Sequence, residues 1–515
     1  MRYDRVLPKP GQDEFMDIHP DLKLPRITQT GELPTRTALE SLDHLVVILP
    51  IRPKAADYRR IPQAKQIEKL LAKADAGSPV ISRLSNRRST GVTAAKFADR
   101  TRFEALTWAR KLVATCRSDK PARIGLYAPG LEDAEQRALT ALVAAALAAA
   151  FKMPSFQSKP KKDWSITSIK IFGVMPRLDL DSIRAQAIGN NVARWFTALP
   201  PNALDAKAYR RALQALAKEF RLGYEFLDDK KLSSLGAGAF LAVAQGNEHH
   251  EAGIVRLRYR PHRQKRADLA LVGKGILFDT GGTNLKPFEG MLDMHTDMQG
   301  SAVALGSLVA LAQLEVPYAI DAWLAITENR TSATAYKPQD VITASNGTTI
   351  QVIHTDAEGR MVLADTLALA TKEQPAVVID YATLTGACVR ALTESYSGIF
   401  CNHETSNAVV HSAGVASGER VWPFPMDADY DELIKSEIAD VKQCAASGSG
   451  DHILAARFLS RFVPDSLPWV HVDLSAGHHD NGLAHIPTKI TGFGVGLTLE
   501  LLNNRTPAAL AKELT

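Results

Sequence analysis

The sequence predicts an α/β protein in two parts, a smaller N-terminal α/β domain followed by a larger α/β domain with a mixed central sheet. Runs of strand-like and helix-like residues alternate in both halves of the chain. The 515 residues, 45% of them apolar and 23% charged, are enough to build one large core and a second one. Between the two halves, a helix-like segment stops at two consecutive prolines and is suited to connect them.

The first part begins with residues 1–40, which are rich in proline, threonine and charge, and which predict an N-terminal arm. Residues 41–173 then alternate between the two patterns and form the predicted N-terminal domain. Its strands are predicted at 44–49, 123–127 and 168–172, and its helices at 64–76 and 132–151. The second of these helices is rich in alanine, and its apolar run is too short to span a membrane.

The second part follows a connecting helix within residues 174–200, predicted from Asp181 to Leu199 and ended by Pro200-Pro201. The larger domain is predicted over 201–515. Its strands are expected at 254–259, 269–273, 319–326, 376–383 and 469–474, with a helix at 301–314. No repeat of fixed period interrupts this order.

The net charge of +5 is unevenly distributed along the chain. Residues 1–170 contain 30 Lys and Arg against 18 Asp and Glu, a net +12, whereas the remainder contains 31 against 38, a net −7. A basic first part is compatible with nucleic-acid binding, with attraction between the two domains, or with a solvated basic face. Because no basic motif with interleaved aromatic residues is present, nucleic-acid binding is kept only as an alternative.

The cysteines and the first residues of the sequence favour a cytoplasmic protein without a membrane segment. The four cysteines are widely spaced and include no C-x-x-C pair, which argues against a disulfide framework and a thiolate zinc site. The opening run MRYDRVLPKPGQDEF mixes charges and prolines, so no secretory signal is expected.

Candidate chemistry centres on the run from Asp356 to Arg360, between a β-leaning segment and a helix-like one. Two carboxylates this close, flanked by apolar segments, indicate either an exposed turn or a bound cation. Further carboxylates follow a strand at Asp279 and precede a helix at Asp297, positions that can converge at one edge of an α/β sheet. Together with Glu358 these acids have a formal charge of −4, which would balance two divalent cations.

Spacing alone leaves other interpretations open. The four acids could be unrelated surface residues, and His478 and His479 are better explained as structural or surface residues, because adjacent side chains on a strand point in opposite directions. The loop after Lys274 contains paired glycines, but neither phosphate-binding glycine motif is present.

Five motifs, taken in order, resemble those of the leucyl aminopeptidase (cytosol aminopeptidase) family. They are VGKGILFDTGG, LKP, the M-x-x-D-M spacing around Asp297, TDAEGR, and ATLTGA at 382–387. The resemblance extends over about residues 180–500 and is weak before that. It implies that the larger domain is the catalytic domain of a metal-dependent aminopeptidase, a hydrolase that removes leucine-like N-terminal residues from peptides.

The resemblance also implies roles for individual residues. One metal ion would be bound by Lys274, Asp279, Asp297 and Glu358, and the other by Asp279, Asp356 and Glu358. As a ligand, Lys274 would have to be neutral, which requires the two cations to lower its pKa.

The resemblance implies catalytic roles for two further residues. Lys286 would polarise the peptide carbonyl, and Arg360 would hold a bicarbonate or similar anion that moves a proton from the attacking water to the leaving amine. The pocket for the first side chain would be lined by Met294, Thr383, Leu384 and Gly386.

Cofactors and partners follow from the same resemblance. The metals are expected to be Zn²⁺ or Mn²⁺, with Mg²⁺ as a further option, because the donors are oxygens and one amine. A substrate with a free N-terminus would bind, and a homohexamer is implied. The competing hypotheses are a DNA-binding or architectural assembly that uses the basic first part, and another metal hydrolase such as a phosphatase, which would leave Lys274 and the TLTG segment unexplained.

Some residues depart from the family pattern. These are His354 before TDAEGR, Gln299 after the D-M pair, the loop 329–337, and the charged pair Asp451-His452, where the family usually has small residues. Because none of them removes an implied ligand, we expect them to affect specificity or rate and not the type of reaction.

Overall fold

The computed structural model describes residues 18–515 except 60, 75–77, 99, 132–133, 160–163, 249–250 and 263. Within this part of the chain the strands form sheets of six, eight and three strands. Apolar side chains between helices and the two large sheets form the cores. Residues 1–17 of the predicted arm lie outside the described residues.

The six-stranded sheet belongs to the first part of the chain. Its strands are β1 (Arg26–Thr30), β2 (His44–Pro50), β3 (Val80–Arg83), β4 (Gly91–Phe97), β5 (Arg123–Tyr127) and β6 (Ser168–Phe172). They lie in the order β1-β6-β5-β2-β4-β3, and only β3 is antiparallel to its neighbour. The associated helices are α1 (Arg36–Glu40), α2 (Ala55–Arg59), α3 (Ala64–Lys73), α4 (Arg102–Thr115) and α5 (Glu135–Ala150). Strand β2 is central and buried, and its residues 45–49 form an unbroken apolar run, as expected for a strand covered on both faces.

The eight-stranded sheet belongs to the second part and is mixed. Its strands are β7 (Gly223–Leu227), β8 (Gly253–Tyr259), β9 (Leu269–Asp279), β10 (Ile320–Asn329), β13 (Val377–Ala382), β14 (Ser397–Cys401), β15 (Val421–Pro423) and β17 (Trp469–Asp473). They lie in the order β15-β14-β17-β13-β9-β10-β8-β7. The four central strands, β17, β13, β9 and β10, are parallel, so their carboxyl ends meet at one edge.

A small sheet lies beside that edge. It consists of β11 (Val341–Thr343), β12 (Thr349–Gln351) and β16 (Val441–Lys442). The remaining helices are α6 (Asp181–Thr197), α7 (Ala206–Glu219), α8 (Asp229–Ser234), α9 (Gly238–Ala244), α10 (Phe288–Met291), α11 (Gln299–Gln313), α12 (Glu358–Thr371), α13 (Gly386–Leu392), α14 (Glu404–Ser417), α15 (Asp451–Ser460), α16 (Val495–Leu501) and α17 (Pro507–Leu514). Strand β12 of this small sheet ends seven residues before the start of α12, so the sheet positions the loop between them.

Helices α6 and α11 cross at two glycines. A Cβ atom at Gly189 would lie 2.2 Å from the carbonyl oxygen of Gly306, and one at Gly306 would lie 2.3 Å from that of Gly189. Only glycine at both positions allows the two backbones to approach this closely. The crossing places α11 against the large sheet, and the residues just before α11 at its edge.

The predicted α/β fold, with a mixed sheet in the larger part, is confirmed. Residues 26–40 differ from the predicted irregular arm, because β1 pairs with β6 and α1 follows it; this edge strand is short and lacks a clear alternation. The domain boundaries at 40, 173 and 200 stay predictions. Among the described residues, none of the helices combines the length and apolar character that crossing a bilayer requires.

Candidate active site

The site forms where the four parallel central strands end. Asp279 is the last residue of β9, Asn329 of β10 and Asp473 of β17, and Thr383 directly follows β13. Because parallel strands present their carboxyl ends at the same edge, residues separated by up to 194 positions meet in one crevice. The starts of α11 and α12 add Asp297 and Glu358 to the same edge.

Lys274 lies at the bottom of this crevice and contacts two of the acids. Its Nζ atom is 2.7 Å from Asp297 Oδ2 and 2.8 Å from Glu358 Oε1, and it donates a hydrogen bond of 2.9 Å to the carbonyl oxygen of Thr383. Burial acts to lower the pKa of Lys274, but the charges of Asp297, Glu358 and Asp279 outweigh it and the pKa is raised. The neutral amine that a metal ligand requires would therefore depend on the cations themselves.

Lys286 contacts the other two acids from the loop after β9. Its Nζ atom is 2.9 Å from Asp279 Oδ2 and 2.5 Å from Asp356 Oδ1. The loop turns sharply at Gly281 and Gly282, whose φ angles of +87° and +64° favour glycine. This turn is what directs Lys286 back towards the end of its own strand.

The acids lie close together, and the pKa values of two of them, Asp356 and Asp297, are raised. Asp279, Asp356 and Glu358 each offer an oxygen within 4.8 Å of the others. Burial and the charges of Asp279 and Glu358 raise the pKa of Asp356 to about 7, although Lys286 acts to lower it. Burial likewise raises the pKa of Asp297 well above its ordinary value. Four carboxylates against two ammonium groups leave a deficit of positive charge.

The donor set fits a pair of divalent cations. Glu358 is 2% exposed, and its Oε2 atom has no hydrogen-bond partner among the described residues. An unpaired carboxylate oxygen in a buried position is costly unless a cation binds it. Oxygen donors from several carboxylates suit hard or borderline divalent metals.

Sequence reasoning missed two residues that support the site, Asn329 beside the acids and Asp473 beside the pocket wall. Asn329 donates from Nδ2 to Asp279 Oδ1 at 2.8 Å and to the carbonyl oxygen of Thr355 at 3.0 Å, and so joins the ends of β9 and the TDAEGR loop. Asp473 accepts hydrogen bonds from the backbone N–H groups of Leu384 and Thr385 at 3.2 and 3.4 Å. Each of the two is the last residue of its strand, and this position was the only feature of the sequence that could have indicated a role in the site.

A cavity of about 270 Å³ beside the lysines and acids is the candidate substrate pocket. The predicted pocket residues Met294, Thr383, Leu384 and Gly386 all line it. Thr383 also donates from Oγ1 to Asp297 Oδ1 at 2.7 Å, so it positions an acid as well. His478 lines the same cavity, with Nδ1 3.2 Å from Glu394 Oε1.

Arg360 lies apart from this cavity. It is buried, and its Nη2 atom donates to both carboxylate oxygens of Asp451, at 2.9 and 2.8 Å. Its Nη1 atom donates to the carbonyl oxygen of Gln443 at 3.2 Å. Asp451 lines a second cavity of about 260 Å³, which shares Asp356 with the first. The structure therefore brings the predicted site residues together, but turns Arg360 towards this second cavity.

The other departures from the family pattern have structural explanations. Gln299 is buried and donates to the carbonyl oxygen of Gly477 at 3.0 Å. His354 accepts from the backbone N–H of Asp356 at 3.2 Å. In the loop 329–337, Thr331 donates to the carbonyl oxygen of Gly282 at 2.6 Å, which joins this loop to the glycine turn.

Known proteins resemble this chain over most of its length. Residues 191–499 match the cytosol aminopeptidase family, catalytic domain. A probable cytosol aminopeptidase of Chlorobaculum tepidum is 39% identical over 358 residues, which cover 68% of this chain and 70% of that protein. One of Syntrophotalea carbinolica is 43% identical over 322 residues, 62% of this chain and 64% of that protein.

Solved structures extend the likeness to both parts of the chain. A mutant of tomato leucine aminopeptidase superposes with a TM-score of 0.81 at 25% identity, covering 95% of this chain and 98% of that one. The leucyl aminopeptidase of Leishmania major, solved with actinonin, has a TM-score of 0.77 at 23% identity, over 93% of this chain and 94% of that one, and supports the fold.

Fold, site and matches together define a peptidase of the α/β metallohydrolase class. Its acids lie at the carboxyl ends of the parallel strands, the edge at which α/β sheets bind ligands. The chain belongs to the cytosol aminopeptidase family and is a leucyl aminopeptidase-type exopeptidase that acts on peptides. None of these matches supports the alternative of a DNA-binding or architectural assembly.

Proposed function

We propose that this protein removes leucine-like residues from the free N-terminus of peptides, using two divalent metal ions bound by its clustered acids. The observation that supports this most directly is the buried cluster of Asp279, Asp356 and Glu358, with the unpaired Oε2 atom of Glu358. A metal pair bound there would activate a water molecule for attack and polarise the peptide carbonyl. The side chains around it determine where the substrate lies and where its charge is stabilised.

The ligands divide into two sets with two shared members. Lys274, Asp279, Asp297 and Glu358 would hold one ion, and Asp279, Asp356 and Glu358 would hold the other. The observed contacts support this division, because Lys274 touches Asp297 and Glu358, whereas Lys286 touches Asp279 and Asp356. Zn²⁺ and Mn²⁺ are the proposed metals, with Mg²⁺ as a further option.

Lys286 is proposed to stabilise the oxyanion that forms when the peptide carbonyl is attacked. Its side chain is 14% exposed in the crevice, and its ammonium group would remain charged there. A buried cation beside a developing negative charge is more effective than one in water. Arg360 is proposed to present an anion that takes a proton from the attacking water and returns it to the leaving amine.

The substrate's side chain would lie in the cavity lined by Met294, Thr383, Leu384 and Gly386. Its volume of about 270 Å³ and its mixed lining favour a medium-sized apolar side chain. A free α-amino group would bind near the acids, so a blocked N-terminus would be excluded. A cytoplasmic location and a homohexamer complete the proposal by analogy with the family.

Hydrolysis of leucine anilide against its N-acetylated form, with and without a chelator, tests this proposal. Only the free amine should be cleaved, and chelation should abolish cleavage until metal is restored. Asp356→Ala should lose activity, whereas Asp293→Ala, which removes an exposed acid near the same cavity, should retain it. Equal cleavage of the two substrates, or full activity of Asp356→Ala, would contradict the mechanism.

A further inference from the structure

The guanidinium group of Arg360 is already occupied by a carboxylate of the same chain. Both oxygens of Asp451 accept from Nη2, at 2.9 and 2.8 Å, and the carbonyl oxygen of Gln443 accepts from Nη1. Arg360 is 2% exposed, and its Nε atom is buried without a partner among the described residues. A small anion from solution therefore has no open face of this guanidinium to bind.

We propose that the carboxylate of Asp451 takes the place of the anion that Arg360 would otherwise bind. This enzyme then needs no bicarbonate or other free anion for its reaction. This inference rests on the proposed function and identifies the group through which Arg360 acts. A carboxylate has the chemistry that the step requires. It takes the proton released by the attacking water and returns it to the amine nitrogen as the peptide C–N bond breaks, so no co-reactant is consumed.

The backbone around Asp451 holds its carboxylate in place. Asp451 is the first residue of α15, where the helix dipole stabilises a negative charge. Gly450 precedes it with a φ angle of +80°, a left-handed conformation that directs the chain from the loop into the helix. The position of the carboxylate is therefore set by the helix start as well as by its contact with Arg360.

A second contact joins the Asp451 segment to the metal-site loop. The side chain of Gln443 is buried, donates to the carbonyl oxygen of Ala357 at 2.9 Å, and accepts from the backbone N–H groups of Ile353 and His354 at 3.2 Å. Because Ala357 directly precedes Glu358, these bonds tie the chain leading to Asp451 to the chain bearing two proposed metal ligands. Arg360 and Asp451 are thus held as a fixed pair.

Asp451 lines a cavity that adjoins the candidate reaction site. Its side chain is 45% exposed, and it lines the cavity of about 260 Å³ that it shares with Asp356 and His354. Asp356 lines the substrate cavity as well, so the two cavities are adjacent. A carboxylate held by a buried arginine at the wall of an adjoining cavity is suited to exchange protons with water there.

The decisive experiment compares anion dependence in the parent enzyme and in Asp451→Ala, both loaded with metal in buffers freed of bicarbonate. The parent should show no change in kcat when bicarbonate or formate is added. Asp451→Ala should lose about 100-fold in kcat, the scale of a lost proton-transfer group, and recover most of it with added bicarbonate. Asp451→Asn should be equally slow and should not recover, because its amide still covers Arg360.

Anion binding to the metal-free proteins provides a readout that does not depend on catalysis. Formate should raise the unfolding midpoint of Asp451→Ala and leave that of the parent unchanged, because only the variant exposes the guanidinium. If the proposed function fails, no form hydrolyses leucine anilide, yet this difference in formate binding persists. The two failures are therefore distinguishable.

Asp431→Ala is the matched control. Asp431 accepts from two nitrogens of Arg457 on α15, both at 2.8 Å, and lines neither cavity, so its loss removes an equivalent ion pair away from the site. Its activity should not respond to bicarbonate. Stimulation of the parent by bicarbonate, unchanged activity of Asp451→Ala without it, or failure of bicarbonate to restore a folded Asp451→Ala would each overturn the inference.

Discussion

Replacing Gly359 by alanine tests how closely the TDAEGR loop has to approach Lys274. A Cβ atom at position 359 would lie 2.7 Å from both Cε and Nζ of Lys274 and 2.8 Å from its Cδ. Ordinary van der Waals contact begins at 3.4 Å, so the lysine would have to move by about 0.7 Å. Lys274 is 3% exposed and packed between Asp297 and Glu358, which leaves it little room to do so.

This substitution has two opposing effects on the free energy of unfolding, but both leave the enzyme less active or unchanged. Gly359 is the second residue of α12 and its φ angle is not positive, so alanine should favour the helix by up to about 1 kcal/mol. The displaced Lys274 should cost a comparable amount, which leaves the free energy of unfolding nearly unchanged. A shift of this size in Lys274, a proposed metal ligand, should nevertheless lower kcat/KM by about 100-fold and weaken metal binding.

The assay combines calorimetric titration of the metal-free protein with Mn²⁺, kinetics with leucine anilide, and the thermal unfolding midpoint. Gly290→Ala is the control, because its Cβ atom would meet nothing closer than 3.6 Å and it also lies in a helix near the site. If Gly359→Ala binds Mn²⁺ and turns over substrate as the parent does, the argument that Lys274 needs this space is refuted.

Two further predictions concern groups that support the site and the fold. Asp473→Asn should raise KM for leucine anilide several-fold with little change in metal affinity, because Asp473 accepts the N–H groups of Leu384 and Thr385 beside the substrate pocket; an unchanged KM would contradict this role. Glu419 accepts backbone N–H groups at the start of α16, and burial raises its pKa from 4.5 to about 7 against the lowering effect of those bonds. Its protonated form therefore stabilises the fold fully below about pH 4.5, and this contribution, up to roughly 3 kcal/mol, is lost as the pH rises through 7. Urea unfolding should show that Glu419→Gln flattens this pH dependence, and an unaltered dependence would disprove the assignment.

Much of the candidate site could be predicted because its residues lie in short motifs at element boundaries. Lys274 and Asp279 belong to one strand, and Asp356, Glu358 and Arg360 to one loop and helix start. Local patterns define such boundaries, and the family resemblance supplied the roles. Helix and strand existence followed from periodicity in the same way, although β9 continues six residues beyond its predicted end at residue 273.

Other features depend on partners that lie far away in the sequence. The strand β1 was not expected, because its own residues show no strand-like alternation. It is stabilised by hydrogen bonds to β6, about 140 residues later in the sequence. Likewise Thr383, predicted as a pocket residue, also hydrogen-bonds to Asp297, 86 residues away. Asn329 and Asp473 were missed because an isolated polar residue at a strand end has no recognisable motif.

The sequence by itself determined the α/β class and the family, and it supplied the residues that are proposed to bind metals. It did so because motif spacing and hydrophobic periodicity are local properties of the chain. Only the tertiary structure decided which groups meet, and most clearly that Arg360 pairs with Asp451, 91 residues further on. That contact depends on how α12, the small sheet and α15 pack against one another, and no local pattern specifies the packing of distant elements.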